Sequence, residues 1–364
     1  MRITFVITGL NIGGAEIQVC NLADELSDAG NNVQLISISG KSQRRPKNSA
    51  IHLVELLMLK NSLSFLKAYF QARKTIREFQ PDIVHSHMVH ANIFSRLLRI
   101  TTPIPKLIST SHNSYEGGSL RAFMCRITDP LSTLSTNVSL AATKSIINRG
   151  SVNKNKVATI HNGIKIENFC FNEVNREKLR REIGVDPQTP LLLSVGRLAP
   201  AKDYPNLLRA FAAIKNSTPV EPQLAIIGSG ALETELKTLA IELGVANRVH
   251  WLGMKTNVHE WLSAGDIFVM SSAWEGFPLV IIEAMAAERV VVATDCGGIR
   301  EALSGNGFLV PPHSSAALAE AIIKALNLSP EEARQMGEAS RCHIEQHFSM
   351  SAIAQKWIAL YRSL

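Results

Sequence analysis

Asp266-Ile267-Phe268-Val269-Met270-Ser271-Ser272-Ala273-Trp274-Glu275-Gly276-Phe277-Pro278-Leu279-Val280-Ile281-Ile282-Glu283-Ala284-Met285-Ala286 is the stretch on which the fold turns. Asp266–Met270 reads as a strand that runs into a polar loop. The loop ends at Pro278, which suits the first turn of a helix because its missing N–H has no partner to lose there. Leu279–Ala286 then reads as a helix, and Val290–Ala293 as another apolar strand. Strand, loop, helix and strand in this order place both strands parallel in one sheet.

The alternation continues outward. Leu191–Val195, Gln223–Ile227 and Arg248–Trp251 read as strands, with helices over Tyr204–Ile214 and Leu232–Leu243, and helices close the chain from about Ala316. An earlier series has strands at Ile3–Ile7, Val33–Ile38, Asp82–His85, Lys106–Thr110, Asn137–Ala142 and Lys156–Ile160. A helix opens at Gly13-Gly14 and runs through Leu26, and another covers Lys60–Phe79. Two such series in 364 residues predict two α/β domains with doubly wound parallel sheets. The expected division is 1–168, 169–345 and a C-terminal helix, 346–364, packing back toward the first domain; the polar stretch Glu167–Asn175 marks the linker.

Composition narrows the class. Residues of apolar type make up 46% of the chain, enough for two cores. No unbroken apolar run reaches the ~18 residues of a membrane span. The first residues read as a strand rather than a signal peptide, so a cytoplasmic protein is expected. The five scattered cysteines, Cys20, Cys125, Cys170, Cys296 and Cys342, fit neither a disulfide framework nor a thiolate zinc site. Residues 1–170 carry 20 Lys and Arg against 10 Asp and Glu, whereas residues 171–364 carry 18 against 21. A basic first half implies an anionic partner on that side. Nucleic acid is disfavoured, because only 6% of residues are aromatic and no basic-aromatic strand motif occurs.

Each half opens on a strand followed by a glycine-bearing turn: Gly9-Leu10-Asn11-Ile12-Gly13-Gly14 in the first, Gly196-Arg197-Leu198-Ala199-Pro200-Ala201-Lys202 in the second. Neither follows the dinucleotide or P-loop pattern. Gly13-Gly14 fits a tight turn and a phosphate contact equally. Arg197 and Lys202 lie past the carboxyl end of a strand, where open α/β sheets bind ligands, and two cations there neutralise a diphosphate. The amides of Leu279 and Val280, at the start of a helix, also face an anion. Glu283 stands among apolar neighbours, where a carboxylate is paired or bound to hydroxyls.

Glu275-Gly276-Phe277-Pro278 with Glu283 resembles the paired-glutamate signature of the retaining GT-B glycosyltransferases of family four, group 1. Gly196-Arg197-Leu198 with Lys202, Gly228-Ser229-Gly230, Asp82-Ile83-Val84-His85-Ser86-His87, Ser111-His112-Asn113 and Asn162-Gly163-Ile164 resemble further motifs of that family, in its order. The resemblance implies two Rossmann-like domains facing a central cleft. It implies that Arg197 and Lys202 hold the donor diphosphate, that Glu283 holds the ribose hydroxyls, and that Glu275, with Gly276 and Phe277 beside it, contacts the donor sugar. His112 would stand by the sugar, Gly13-Gly14 would touch the donor, and His87, Asn113 and Glu116 would line the acceptor side. Lys165 departs from the family, which has Asp after Asn-Gly-Ile, and Glu116-Gly117-Gly118 resembles the members that build bacterial surface polysaccharides such as O-antigen, capsule and lipopolysaccharide.

The expected reaction moves a sugar from a nucleotide-sugar, a UDP-hexose or UDP-N-acetylhexosamine, to a saccharide acceptor on a polyprenyl diphosphate. Fixed cations at the leaving diphosphate stabilise the transition state. No D-x-D occurs, so no metal and no cofactor is expected, and the trio His85, His87 and His90 lacks the carboxylate or Cys that would complete a zinc site. On the helix Lys60–Phe79, residues Phe65, Tyr69, Ala72, Ile76 and Phe79 form a core-facing stripe. Lys67, Arg73, Lys74 and Arg77 lie off it, as does Arg121 on a later helix. These cations suit a solvated helix face and the anionic face of the cytoplasmic membrane equally. A nucleotide-sugar epimerase of the same fold and a catalytically silent nucleotide-sugar binder are the competing readings.

Overall fold

The computed structural model describes residues 1–364 apart from Ile12, residues 113–117, Asn216 and Thr218. The chain divides into two compact units, Met1–Ile164 with Met350–Leu364, and Lys165–Ser349.

Among the described residues, the first unit holds a seven-stranded sheet in the order β3-β2-β1-β4-β5-β6-β7. Its strands are β1 (Arg2–Ile7), β2 (Asn32–Ser37), β3 (His52–Glu55), β4 (Ile83–His87), β5 (Lys106–Ser111), β6 (Leu134–Asn137) and β7 (Val157–Thr159). Every pairing is parallel. The helices of this part are α1 (Gly14–Asp28), α2 (Ser62–Phe79), α3 (Val89–Thr101), α4 (Ser119–Thr128) and α5 (Leu140–Asn148). β1 and β4 are buried almost throughout, as strands covered on both faces must be.

The second unit has a six-stranded parallel sheet, again among the described residues, ordered β10-β9-β8-β11-β12-β13. It comprises β8 (Leu191–Val195), β9 (Gln223–Ile227), β10 (Val249–Gly253), β11 (Ile267–Met270), β12 (Val290–Thr294) and β13 (Phe308–Val310). Its helices are α6 (Glu173–Glu182), α7 (Tyr204–Ala213), α8 (Glu233–Glu242), α9 (Val258–Ala264), α10 (Leu279–Ala286), α11 (Ile299–Leu303), α12 (Ser315–Leu326) and α13 (Pro330–His347). The last helix, α14 (Met350–Ser363), returns to the first unit, where Ile353, Trp357 and Tyr361 join the core formed by α1, β1 and β2.

Two expectations need correction. The strand expected over Asn137–Ala142 is the end of β6 followed by the first turn of α5. The Ser139 hydroxyl accepts the Ala142 amide at 3.1 Å and caps the helix there; this start signal outweighs the apolar run. The boundary lies ahead of the polar stretch Glu167–Asn175, at Ile164. Ile164 is buried, and its carbonyl accepts the Met350 amide at 2.8 Å, which ties it to the first unit.

In each sheet the strand order reverses at one point, between β1 and β4 and between β8 and β11. The turns leaving the carboxyl ends of those strands diverge there and open a crevice. Gly9, Leu10, Gly13, Gly14 and Met88 lie at the first reversal, Gly196–Lys202 and Ser271–Pro278 at the second.

Candidate active site

In the second unit, two strand-end turns are held against each other. The Leu198 amide donates to Ser229 O at 3.0 Å, and a Cβ on Gly228 would stand 2.0 Å from Gly196 O. Only glycine permits that approach, and Gly228 also has φ near +144°. On the other side, Gly297, at φ +57°, lies so close to the Glu275 carbonyl that a Cβ would be 2.3 Å from it. The Gly298 amide donates to Gly276 O at 2.9 Å. The loop bearing Glu275 is thus fixed by the turn after β12, and the turn bearing Arg197 by the one after β9.

These fixed turns bring Lys202 and Glu275 together. Lys202 Nζ donates to Glu275 Oε1 at 2.5 Å, and the Ser272 hydroxyl donates to the same oxygen at 2.7 Å. Ser271 Oγ donates to Lys202 O at 2.9 Å, and the Ala273 amide to Ala201 O at 2.9 Å. Thr294 Oγ1 supports the loop from below by donating to Ser272 O at 2.6 Å. The Lys202 and Glu275 side chains retain 20% and 15% exposure, so the pair stays open to a ligand. Nearby, burial pushes the Cys296 thiol up to about 12, so it remains protonated.

Arg197 is exposed, and among the described residues no hydrogen bond or ion pair engages its side chain. α10 begins at Leu279 without a side-chain cap, and among the described residues nothing bonds the amides of Leu279 and Val280. Glu283 lies one turn into α10 between the fully buried Ile282 and Ala284 and is itself partly buried. No partner reaches its carboxylate among the described residues, and burial pushes it up to about 7. Gly276 and Phe277 are buried beneath the loop, Phe277 with its ring centroid 5.3 Å from that of Phe348. A free cation, uncapped helix amides and an unpaired carboxylate around one sheet edge suit a ligand with both anionic groups and hydroxyls.

In the first unit the counterpart is a column of uncharged polar groups. His87, at the end of β4, pairs in register with Ile7 and Thr110 on either side. Its Nδ1 lies 3.0 Å from Nε2 of His112, just past β5. His85 stacks on His87 with ring centroids 4.0 Å apart. The His85 Nδ1 bonds Tyr361 Oη at 2.7 Å and its Nε2 bonds Thr110 Oγ1 at 2.6 Å. Burial lowers His85 and His87 well below the usual histidine range and brings His112 to about 4, so all three rings are neutral near pH 7. His87 Nε2 and His112 Nδ1 are buried with no partner among the described residues. His87, expected at an acceptor surface, is instead 1% exposed. Alternation along β4 forces this, placing His85 and His87 on one buried face.

Gly13 and Gly14 form the start of α1, which has no side-chain cap. Glu16 folds back over this turn, its Oε2 2.5 Å from where a Cβ on Gly13 would stand. Asn113 and Glu116 lie outside the described residues. Among the described residues no three His, Cys, Asp or Glu side chains group as metal ligands, and no helix is long and apolar enough to cross a membrane.

The sequence motifs did not reveal the Lys202–Glu275 pair, the support from Ser272 and Thr294, or the bond from Tyr361 to His85. An aromatic pair at i and i+4 on the last helix, Trp357 and Tyr361, was the available signal for the last of these.

Residues 175–343 match the family described as Glycosyl transferases group 1, and residues 12–168 match Glycosyltransferase Family 4. The D-inositol 3-phosphate glycosyltransferase of Corynebacterium glutamicum is 30% identical, over 77% of this chain and 72% of that protein. An N-acetylgalactosamine-N,N'-diacetylbacillosaminyl-diphospho-undecaprenol 4-alpha-N-acetylgalactosaminyltransferase of Campylobacter jejuni is 27% identical over 84% of each chain. Anabaena HepE, solved in complex with UDP, superposes over the whole of both chains with a TM-score of 0.83 at 23% identity, which is a likeness of fold.

Proposed function

The chain belongs to the group 1 glycosyltransferases, and from that footing we propose that it is a retaining enzyme that moves a hexose or N-acetylhexosamine from its UDP derivative to a lipid-linked saccharide at the cytoplasmic membrane face, in surface polysaccharide synthesis. The observation that carries this reading is the arrangement at the β8–β11 crevice. Exposed Arg197, the amides of Leu279 and Val280, and the Glu283 carboxylate, which has no partner among the described residues, stand around one sheet edge. The UDP held by Anabaena HepE and the undecaprenol-linked substrate in the name of the Campylobacter relative support the donor and acceptor classes.

Arg197, Lys202 and the amino end of α10 take the diphosphate, Glu283 the ribose hydroxyls, and Glu275 a hydroxyl of the donor sugar while it orients Lys202. The bond from the anomeric carbon to the phosphate oxygen breaks, and negative charge grows on the diphosphate. Fixed cations and amides stabilise that charge without reorganising, which lowers the barrier. The acceptor hydroxyl attacks from the face the phosphate leaves, and its proton passes to the departing phosphate oxygen. His112, neutral and held by His87, offers a hydrogen bond to a sugar hydroxyl and neither attacks nor carries charge. No step takes a metal.

The test mixes purified protein, in EDTA, with radiolabelled UDP-sugars and a bacterial lipid extract. Label reaching the lipid in an α linkage supports the reading. Conversion of the free UDP-sugar to its epimer identifies an epimerase instead, and binding without turnover identifies a silent nucleotide-sugar binder.

A further inference from the structure

Three helices of the first unit lie side by side on one face of its sheet. The connections β3-α2-β4, β4-α3-β5 and β5-α4-β6 all step the same way across the strand order, and right-handed crossovers put their helices on the same side. α2 packs on α3 through Phe65 and Tyr69 against Phe94, and α3 reaches α4 where Arg96 donates to Cys125 O at 3.1 Å. The outward side of this layer is apolar where a solvated surface is expected. On α2, opposite the core stripe Ala68, Ala72 and Ile76, Leu63 is 79% exposed and Phe70 57%, with Leu66 exposed between them. On α4, Leu120, Phe123 and Ile127 recur at i, i+3 and i+7, all more than half exposed, and Ile100 of α3 is exposed between the two helices.

Cations edge these stripes, and acids are nearly absent. Lys60, Lys67 and Lys74 follow one another at heptad spacing beside the α2 stripe, and Arg121 and Arg126 flank the α4 stripe. Glu78 is the one acid on α2, and it is 3.8 Å from Lys74; α4 has none. The two stripes converge at His90 of α3. There burial, then the positive charges of Arg121 and Lys60, hold the imidazole below the usual range. That convergence lies at the carboxyl edge of the sheet, since α2, α3 and α4 all begin where strands end, and His112 stands on the same edge.

We propose that this three-helix face seats on a bilayer leaflet rich in anionic lipid, with Leu63, Leu66, Phe70, Leu120 and Phe123 entering the acyl boundary and Lys60, Lys67, Lys74 and Arg121 meeting the phosphates. Charge complementarity selects this occupant. A protein partner or a second copy of the chain would bury these cations against the same unpaired cations or need an acidic surface, whereas lipid phosphates pair with all of them at once. The surface rests on the reading of a lipid-linked acceptor and gives it a location: the bilayer presents the acceptor sugar at the edge that bears His112.

The experiment is flotation of the full chain with vesicles of phosphatidylcholine alone or mixed with phosphatidylglycerol, at low and high salt. The wild-type chain should float with the mixed vesicles at low salt and be released by salt. Leu63→Ser with Phe70→Ser should weaken binding about tenfold or more, and Lys60→Gln and Lys67→Gln about fivefold each. Turnover of a water-soluble acceptor should be unchanged in all of them, which separates this surface from the transferase site. Hydrogen exchange of the wild-type chain should show vesicle-dependent protection in α2 and α4, a readout independent of any variant. A wild-type chain that ignores phosphatidylglycerol, protection confined to other helices, or a loss of self-association in place of vesicle binding would each overturn the proposal.

Discussion

The two strand-order reversals solve opposite electrostatic problems. At β1–β4 the chain buries three imidazoles, bonds them to one another and to Tyr361 and Thr110, and holds them neutral. At β8–β11 it keeps charge accessible, with Arg197 exposed, Lys202 and Glu275 in a partly open pair, and Glu283 without a partner among the described residues. The first arrangement fixes positions without attracting ions; the second attracts an anion and has a carboxylate left for its hydroxyls. The same topology thus serves as a rigid neutral wall in one unit and a charged seat in the other.

The difference extends to pH. His85, His87 and His112 bind protons less readily folded than unfolded. Their contribution is complete above about pH 6.5 and is lost as the pH falls toward about 4, the value for His112. Glu283 has the opposite sign: its carboxyl is raised to about 7, so its contribution is present at low pH and is lost as the pH climbs from about 4.5 through 7.

Lys202→Ala tests the charged seat most severely. Steady-state kinetics should show kcat/KM lower by about 10²-fold or more, because a cation leaves the departing group and Glu275 loses its cationic partner. A near-normal rate would reduce Lys202 to a structural role. Glu283→Gln should weaken UDP about tenfold or more by calorimetry. It should also remove the tightening of wild-type binding as the pH rises through about 7, and raise the melting temperature above neutral pH, where the wild-type chain carries an unpaired buried charge. Unchanged affinity and an unchanged pH profile would remove Glu283 from the nucleotide site. Tyr361→Phe probes the neutral wall and should do least to catalysis. It leaves His85 Nδ1 without its bond, so urea unfolding should show a loss of about 1–3 kcal/mol, with turnover within about threefold. A large fall in turnover at unchanged stability would mean that Tyr361 acts in the reaction itself.

The sequence was most legible where one physical signal dominated. Leu191–Val195, Gln223–Ile227 and Leu279–Ala286 were read to the residue because continuous apolar runs there meet Gly or Pro at an end. The edge strands His52–Glu55 and Phe308–Val310 escaped, being short and only partly buried, so they lack the run that marks a central strand. Arg197, Lys202, Glu275 and Glu283 could be singled out because motifs mark strand ends. That Lys202 is already engaged by Glu275 was not visible, since 73 residues separate them and only the turns that fix both loops bring them together. The Tyr361–His85 bond spans 276 residues and depends on α14 crossing back to the first unit. Exposure of Leu63 and Phe70 was hidden for a related reason: periodicity showed which face of α2 is buried, but not that its other face lacks a polar coat.

The most direct test is a crystal structure of the full chain with UDP in the presence of EDTA. The account predicts the diphosphate at the β8–β11 edge within hydrogen-bonding distance of Arg197, Lys202 and the amides of Leu279 and Val280, with the ribose hydroxyls on Glu283. Nucleotide bound elsewhere, or bound only when a divalent metal is restored, would contradict it.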